Sequence, residues 1–266
     1  MADRDIWGVD KIRNLFDLTG KTAIVTGGSG AFGHDAAKGL AAFGANVVVT
    51  SRRAENLEAA AKDIADATGA KVKAVSCDAV DPESVEAMVK AAVDEFGAVD
   101  ILVTAAGQAD RHAAEEFPID AWQMVMDSLV KGTYLCCQSA GRQMIKQGGG
   151  KIITVGSVRG EFGHPGGYSA YGTAKGAVHL LTKQLSTEWA KYHINVNSIA
   201  PCIFWTPLTE PILKDENMYK IFMQRIPLGR PAEPEDLVGA VLYLSAPASA
   251  MVTGHILYID GGTSAW

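Results

Sequence analysis

Short apolar runs of four or five residues alternate with longer stretches of helical period along nearly the whole chain, and this rhythm constrains the fold more than any other feature. The runs fall at 22–26, 47–50, 72–76, 101–104, 152–155, 194–198 and 256–259. Most show no in–out alternation of apolar and polar residues, as expected of strands covered on both faces. Between them, apolar spacing predicts helices over about 31–43, 54–67, 82–96, 119–146, 169–191 and 234–246, and Pro82 and Pro234 each suit a helix's first turn. Such alternation builds βαβ units with right-handed crossovers, hence an α/β fold: a doubly wound, seven-stranded parallel sheet with helices on both faces. The 266 residues, 48% of them apolar, suffice for one such core. We therefore expect a single domain over 1–266, with an N-terminal extension (1–18) and a substrate lobe or lid (202–230), the least regular stretch of the chain.

Charge narrows the partners. Thirty acids stand against 24 bases, a net charge of −6, with no block of like charge. That balance argues against nucleic acid and against an anionic membrane surface. The opening 18 residues carry seven charged side chains and no apolar core of signal-peptide length, and no run approaches the ~20 apolar residues of a membrane span. Four cysteines (Cys77, Cys136, Cys137 and Cys202) form no CxxC pair, and on a helix the neighbours Cys136 and Cys137 point to different faces. The six histidines show no HxxxH spacing, so neither a disulfide framework nor a metal site is expected. Together these features predict a soluble cytoplasmic protein.

The first apolar run ends in Thr26-Gly27-Gly28-Ser29-Gly30-Ala31-Phe32-Gly33. Small residues there let the backbone approach a pyrophosphate, and the helix that follows at once offers N–H donors and the positive end of its dipole. A helix and a second strand come next, which is the context a dinucleotide-binding turn requires, so the expected sheet is of Rossmann type. The second strand ends in Thr50-Ser51-Arg52-Arg53, with no acid before Glu55. A carboxylate there would bond the adenosine ribose diol, whereas guanidinium groups match a 2′-phosphate. NADP is therefore the favoured cofactor and NAD the alternative.

Further along stands Tyr171-Gly172-Thr173-Ala174-Lys175, with Ser157 14 residues before the tyrosine. This set resembles the YxxxK motif and upstream serine of the short-chain dehydrogenase/reductase family. The turn at 26–33 is similar to that family's TGxxxGxG, with Ala31 in place of the middle glycine. Thr104-Ala105-Ala106-Gly107 stands where the family has NNAG, and Asn195-Val196-Asn197-Ser198-Ile199-Ala200-Pro201 resembles its segment near the nicotinamide. Pro227-Leu228-Gly229-Arg230, and the stretch from Thr253-Gly254 to Asp260-Gly261-Gly262, resemble its C-terminal signature. The matches run in the family's order from about residue 18 to the end.

The resemblance implies an oxidoreductase that interconverts a secondary alcohol and a ketone, with Ser157, Tyr171 and Lys175 catalytic. It also implies cofactor contacts from Gly27, Ser29, Gly30, Phe32 and Gly33 in the turn, and from Ser51, Arg52, Arg53 and Asp78 beyond the next strands. Ala105, Ala106 and Gly107, the pair Tyr171 and Lys175, and Pro201, Ile203 and Thr206 complete that set, and a homotetramer is the family's common assembly. The spacing makes chemical sense by itself. Residues four apart share a helix face, so Lys175 lies beside Tyr171, and its ammonium is expected to lower the phenol from its ordinary pKa near 10. Ser157 is placed to hydrogen-bond the substrate oxygen where charge develops.

Two positions depart from the family pattern. Leu129 aligns with the asparagine that supports a proton relay to the lysine, and its side chain has neither donor nor acceptor, which makes adjacent Ser128 the candidate substitute. Cys202 replaces a glycine and reads as a small buried residue. For the substrate, Arg111 and Arg159 suit a carboxylate, with His164 and Trp205 as further candidates. The segment 15–21 and the polar loops are similar to those of family members that act on gluconate, other sugar acids or polyols. A 3-oxoacyl-carrier-protein reductase, or a nucleotide-binding regulatory relative with impaired turnover, are the alternatives.

Overall fold

The computed structural model describes residues 8–52, 54–206 and 209–265. A short helix α1 (Val9–Arg13) and a 3₁₀ turn lead into β1 (Thr22–Thr26). The chain continues through α2 (Ala31–Ala42), β2 (Asn46–Ser51), α3 (Ala54–Thr68), β3 (Val72–Ser76), α4 (Pro82–Phe96) and β4 (Ile101–Thr104). Then come α5 (Ile119–Met126), α6 (Gly132–Gln147), β5 (Gly150–Val155), α7 (Ser169–Trp189) and β6 (Ile194–Pro201). The last elements are α8 (Glu210–Lys214), α9 (Glu216–Met223), α10 (Pro234–Ser245) and β7 (Ile256–Ile259). All the strands pair in parallel in the order β3-β2-β1-β4-β5-β6-β7, the expected Rossmann-type sheet.

The unbroken apolar runs follow from burial on both faces. Successive strand side chains point to opposite sides, so Ala23 and Val25 pack with Leu40, Leu237 and Val241 while Ile24 packs with Met88 and Met144. Leu102 and Ile152 join the second layer, and Ile101, Val103 and Ile153 the first. Cys136 and Cys137, neighbours on α6, are both 0–1% exposed in the second layer, because α6 lies against α4 on one side and against the sheet on the other.

Winding places the functional crevice. From β1 the chain builds β2 and β3 to one side, then crosses to add β4 on the other. The carboxyl ends of β1 and β4 therefore diverge above the sheet, where such folds bind ligands. The Ala106 N–H donates to Thr26 Oγ1 at 3.1 Å and ties the two strand ends together.

One helix prediction needs correction. The expected helix over 119–146 is α5 and α6 joined by a π turn, Asp127–Lys131. Such a turn adds one residue and runs straight on into the next helix, so spacing alone does not separate α5 from α6. The expected lobe at 202–230 holds α8 and α9, the latter capped by Asp215, whose Oδ1 accepts the N–H groups of Asn217 and Met218 at 2.9 Å each. Among the described residues, no helix is long and apolar enough to cross a membrane.

Candidate active site

Two adjoining cavities open along the crevice. The first, about 520 Å³, is bounded by Gly27, Ser29, Gly30, Ser51, Arg52 and Asp78, with Ala105, Ala106 and Gly107 on its inner wall. The tight turn behind it is built from backbone. Gly27 has φ +70°, and a Cβ on Gly33 would lie 2.3 Å from the Gly27 carbonyl oxygen. A side chain at Gly33 would therefore push the turn off the helix. The turn delivers the chain into α2 with Gly30 at the N-cap, no side chain capping the helix and no acid in its first turn. Free N–H groups and a positive dipole end thus face a cavity with room for a pyrophosphate, and the site fits a dinucleotide.

At the far rim, Arg52 is exposed and has no carboxylate partner among the described residues. Asp78 is held by its own loop: its N–H donates to Ser84 Oγ at 3.0 Å and its Oδ1 accepts the Val80 N–H at 3.2 Å. The Arg53 prediction lies outside the described residues.

The second cavity, about 610 Å³, brings Ser157, Tyr171 and Lys175 together with Phe32, Pro201, Ile203 and Thr206. Ser157 sits just beyond β5, 6% exposed, in extended backbone at φ −171°. Its Oγ accepts the Arg159 N–H at 3.1 Å, and its hydroxyl lies near enough to Tyr171 to favour the ionised phenol. Tyr171 and Lys175 leave the same face of α7, as their spacing predicts.

The electrostatics differ from expectation. Lys175 Nζ donates to the Val155 carbonyl at 2.6 Å and lies 5.7 Å from the centre of the Tyr171 ring. Tied to the sheet, the ammonium does not depress the phenol. Burial pushes the Tyr171 hydroxyl above its ordinary value, against the opposing pull of the Ser157 hydrogen bond and the Arg159 charge. Burial also brings Lys175 down to about 8. A protonated phenol beside a serine hydroxyl can give a proton to a carbonyl oxygen and hydrogen-bond the alkoxide that forms.

A histidine that the sequence did not single out supports this arrangement. His179, one turn beyond Lys175 and 5% exposed, accepts the Ser157 N–H on Nε2 at 3.4 Å. Burial holds its pKa below the usual range, which keeps the acceptor lone pair available. Its Nδ1 has no hydrogen-bond partner among the described residues.

The π turn aims Leu129 into the second cavity, where its Cδ2 would stand 2.3 Å from a Cβ on Gly107. Gly107 is thus the residue that admits Leu129. Ser128, the expected relay substitute, points elsewhere: its Oγ accepts the Gln108 N–H at 2.8 Å, and it lines the first cavity. Cys202 lines the second cavity, and burial pushes its thiol up to about 11, so the neutral form prevails.

At the substrate end, Arg111 and Arg159 line the cavity, while His164 and Trp205 are not among its walls. His164 backs the wall instead, its ring stacked on Phe222 at 5.8 Å. The Trp205 N–H donates to the Ala232 carbonyl at 3.0 Å. Two wall residues escaped the sequence reading. Tyr168, one turn before Tyr171, accepts a hydrogen bond from Arg111 Nη1 at 3.2 Å. Arg225, just past α9, reaches the same cavity. The spacing of Tyr168 from Tyr171 was a usable signal, whereas only the folding of the lobe brings Arg225 there.

Comparison with known proteins agrees with this geometry. The family described as enoyl-(acyl carrier protein) reductase matches residues 29–264. Gluconate 5-dehydrogenase of Gluconobacter oxydans is 39% identical over 94% of this chain and 96% of its own. The L-tagatose-forming galactitol 2-dehydrogenase of Cereibacter sphaeroides is 35% identical over 96% and 99%. A gluconate 5-dehydrogenase from Burkholderia cenocepacia, solved in complex with NADP and tartrate, superposes with a TM-score of 0.91 at 33% identity, covering 95% of this chain and 98% of that one. The fold, the paired cavities and these relatives lead to one conclusion: the chain belongs to the short-chain dehydrogenase/reductase family and is an NAD(P)-dependent oxidoreductase.

Proposed function

We propose that this enzyme oxidises a secondary hydroxyl of a sugar acid, and reduces the matching ketone, with NADP preferred over NAD. The observation that carries the substrate class is the pair Arg111 and Arg159, which face the cavity of Ser157 and Tyr171 with no carboxylate partner among the described residues. An exposed Arg111 and a half-buried Arg159 without counter-ions suit a carboxylate on the ligand. Relatives named for gluconate and 5-keto-D-gluconate support the same class. Arg52, exposed and unpaired at the rim of the first cavity, supports the preference for a 2′-phosphate.

In the proposed mechanism the turn at Gly27, Ser29 and Gly30 would hold NADP(H), which when bound would supply or take up the hydride at the substrate carbon. Tyr171 holds the proton that the substrate oxygen gains on reduction and surrenders on oxidation. The Ser157 hydroxyl hydrogen-bonds that oxygen as charge develops, and the His179 bond to its backbone fixes the loop that presents it. Lys175, anchored on the Val155 carbonyl beside Tyr171, would hydrogen-bond the nicotinamide ribose of the bound cofactor. Leu129, turned in beside Gly107, excludes water there without taking part in proton transfer.

On this reading the chain is one catalytic domain whose 202–230 segment covers the substrate. It acts in the cytoplasm, consistent with the acidic balance, and as a homotetramer. The exposed Tyr134 of α6 and Leu180 of α7 provide apolar surface for assembly. The test is an initial-rate screen of sugar acids, polyols and an acetoacetyl thioester, with NADP+ or NADPH and with NAD+ or NADH. Turnover confined to hydroxy acids and favouring the phosphorylated cofactor is the expected result. Turnover confined to the thioester would overturn the reading.

A further inference from the structure

Apart from Arg52 at the first cavity, the described arginines divide by location. Arg13, Arg142 and Arg230 are each paired with an acid, on Asp10, Glu86 and Asp236. Arg111, Arg159 and Arg225 are not paired with any acid among the described residues, and all three line the substrate cavity. They come from three separate parts of the chain: the loop after β4, the turn after β5 and the end of α9. Convergence from three elements is not an accident of one charged segment.

Their surroundings hold them there unneutralised. Arg111 stacks over Tyr168, 5.5 Å from the ring centre, and donates to its hydroxyl. Arg159 uses Nη1 on the carbonyls of Phe162 and Gly163, at 3.3 and 3.1 Å, leaving its other nitrogens free. Arg225 makes no side-chain hydrogen bond with the described residues. The Arg159, Arg225 and Arg111 charges all act on His164, which they and burial together hold below its usual pKa. Asp110 is the one acid among the cavity-lining residues, and it is engaged with the Arg111 N–H at 2.8 Å and with His112 Nε2 at 3.2 Å. With Lys175, four cationic side chains therefore face one occupied carboxylate.

A single carboxylate on the ligand would leave like charges facing one another across a partly enclosed space. Two anionic groups would compensate them. We propose that the physiological substrate is a dianionic sugar acid, carrying a second carboxylate or a phosphate ester, and that Arg225 on the lobe selects for the second charge. This rests on the sugar-acid reading above and sharpens it.

The test uses the intact enzyme with NADP+ and three probes: gluconate with one carboxylate, galactarate with one at each end, and 6-phosphogluconate with a carboxylate and a phosphate. One dianionic probe should exceed gluconate in kcat/KM by at least about tenfold, and Arg225→Gln should reduce that ratio at least about tenfold. Which dianion wins identifies the second group. Arg225 is exposed, so the substitution does not threaten folding, and a circular-dichroism melt checks this. Gluconate turning over as well as either dianion, or a ratio unchanged in the variant, would overturn the inference while leaving the sugar-acid reading intact. Turnover of none of the three acids would overturn both.

Discussion

The two cavities of this enzyme are built by different means. The nucleotide cavity is shaped by backbone: a left-handed Gly27, a Gly33 with no space for a side chain, and an uncapped helix start. The substrate cavity is shaped by side chains from distant loops, among them Arg111, Arg159, Tyr168 and Arg225. Backbone shape restricts sequence tightly, because only glycine fits certain positions. Side-chain shape restricts it loosely, because many residues fill a lobe. One cavity is consequently shared across a family of many activities, and the other distinguishes its members.

The largest effect expected from this contrast is at the turn. Gly33→Ala forces a Cβ against the Gly27 carbonyl and should weaken NADPH binding by at least about thirtyfold, or ~2 kcal/mol, in a fluorescence titration. By contrast Phe222→Ala, which strips the ring stacked on His164, should raise the substrate KM while leaving the NADPH Kd in place. If the two variants affected cofactor and substrate alike, the division between the cavities would not hold.

At the rim of the first cavity a side chain is expected to carry specificity. Arg52→Ala should lower the NADP+ to NAD+ ratio of kcat/KM by about tenfold, and an unchanged ratio would remove Arg52 from cofactor choice.

The next effect lies in the pH profile. Burial raises the Tyr171 phenol above its ordinary value, so the proton stays on near neutral pH. Reduction uses that proton, and oxidation needs it removed. Oxidation should therefore quicken about tenfold per pH unit above pH ~7 while reduction does not, as seen in kcat/KM for each direction. Matching slopes in both directions would show that another group titrates.

The smallest effect is expected from Leu129→Asn. Leu129 packs against Gly107 and holds no proton, so kcat should stay within about threefold. A rise of two or more decades would instead mean that the native relay is crippled.

The same contrast explains what could be read from the chain alone. Strands buried on both faces write themselves as unbroken apolar runs, and the positions of β1 and β4 follow directly. The glycine turn and the four-residue spacing of Tyr171 and Lys175 are local patterns, legible because the chemistry is local. Where contacts cross the fold, legibility ends. The π turn at Asp127–Lys131 runs straight on into α6, and the anchoring of Lys175 on Val155 depends on where α7 docks. His179 reads as an ordinary helix residue until the loop of Ser157 is laid against it. Arg225 joins Arg111 and Arg159 only once α9 has folded over the cavity.

The most direct test of the account replaces the phenol hydroxyl alone. Tyr171→Phe keeps the ring that packs against Tyr168 and removes the proton carrier. With the acid on which the wild type is most active, kcat should fall at least about a thousandfold while the NADPH Kd stays within about threefold. A variant that binds NADPH and keeps turnover within about tenfold of wild type would contradict the account, because the proton would then pass through another group.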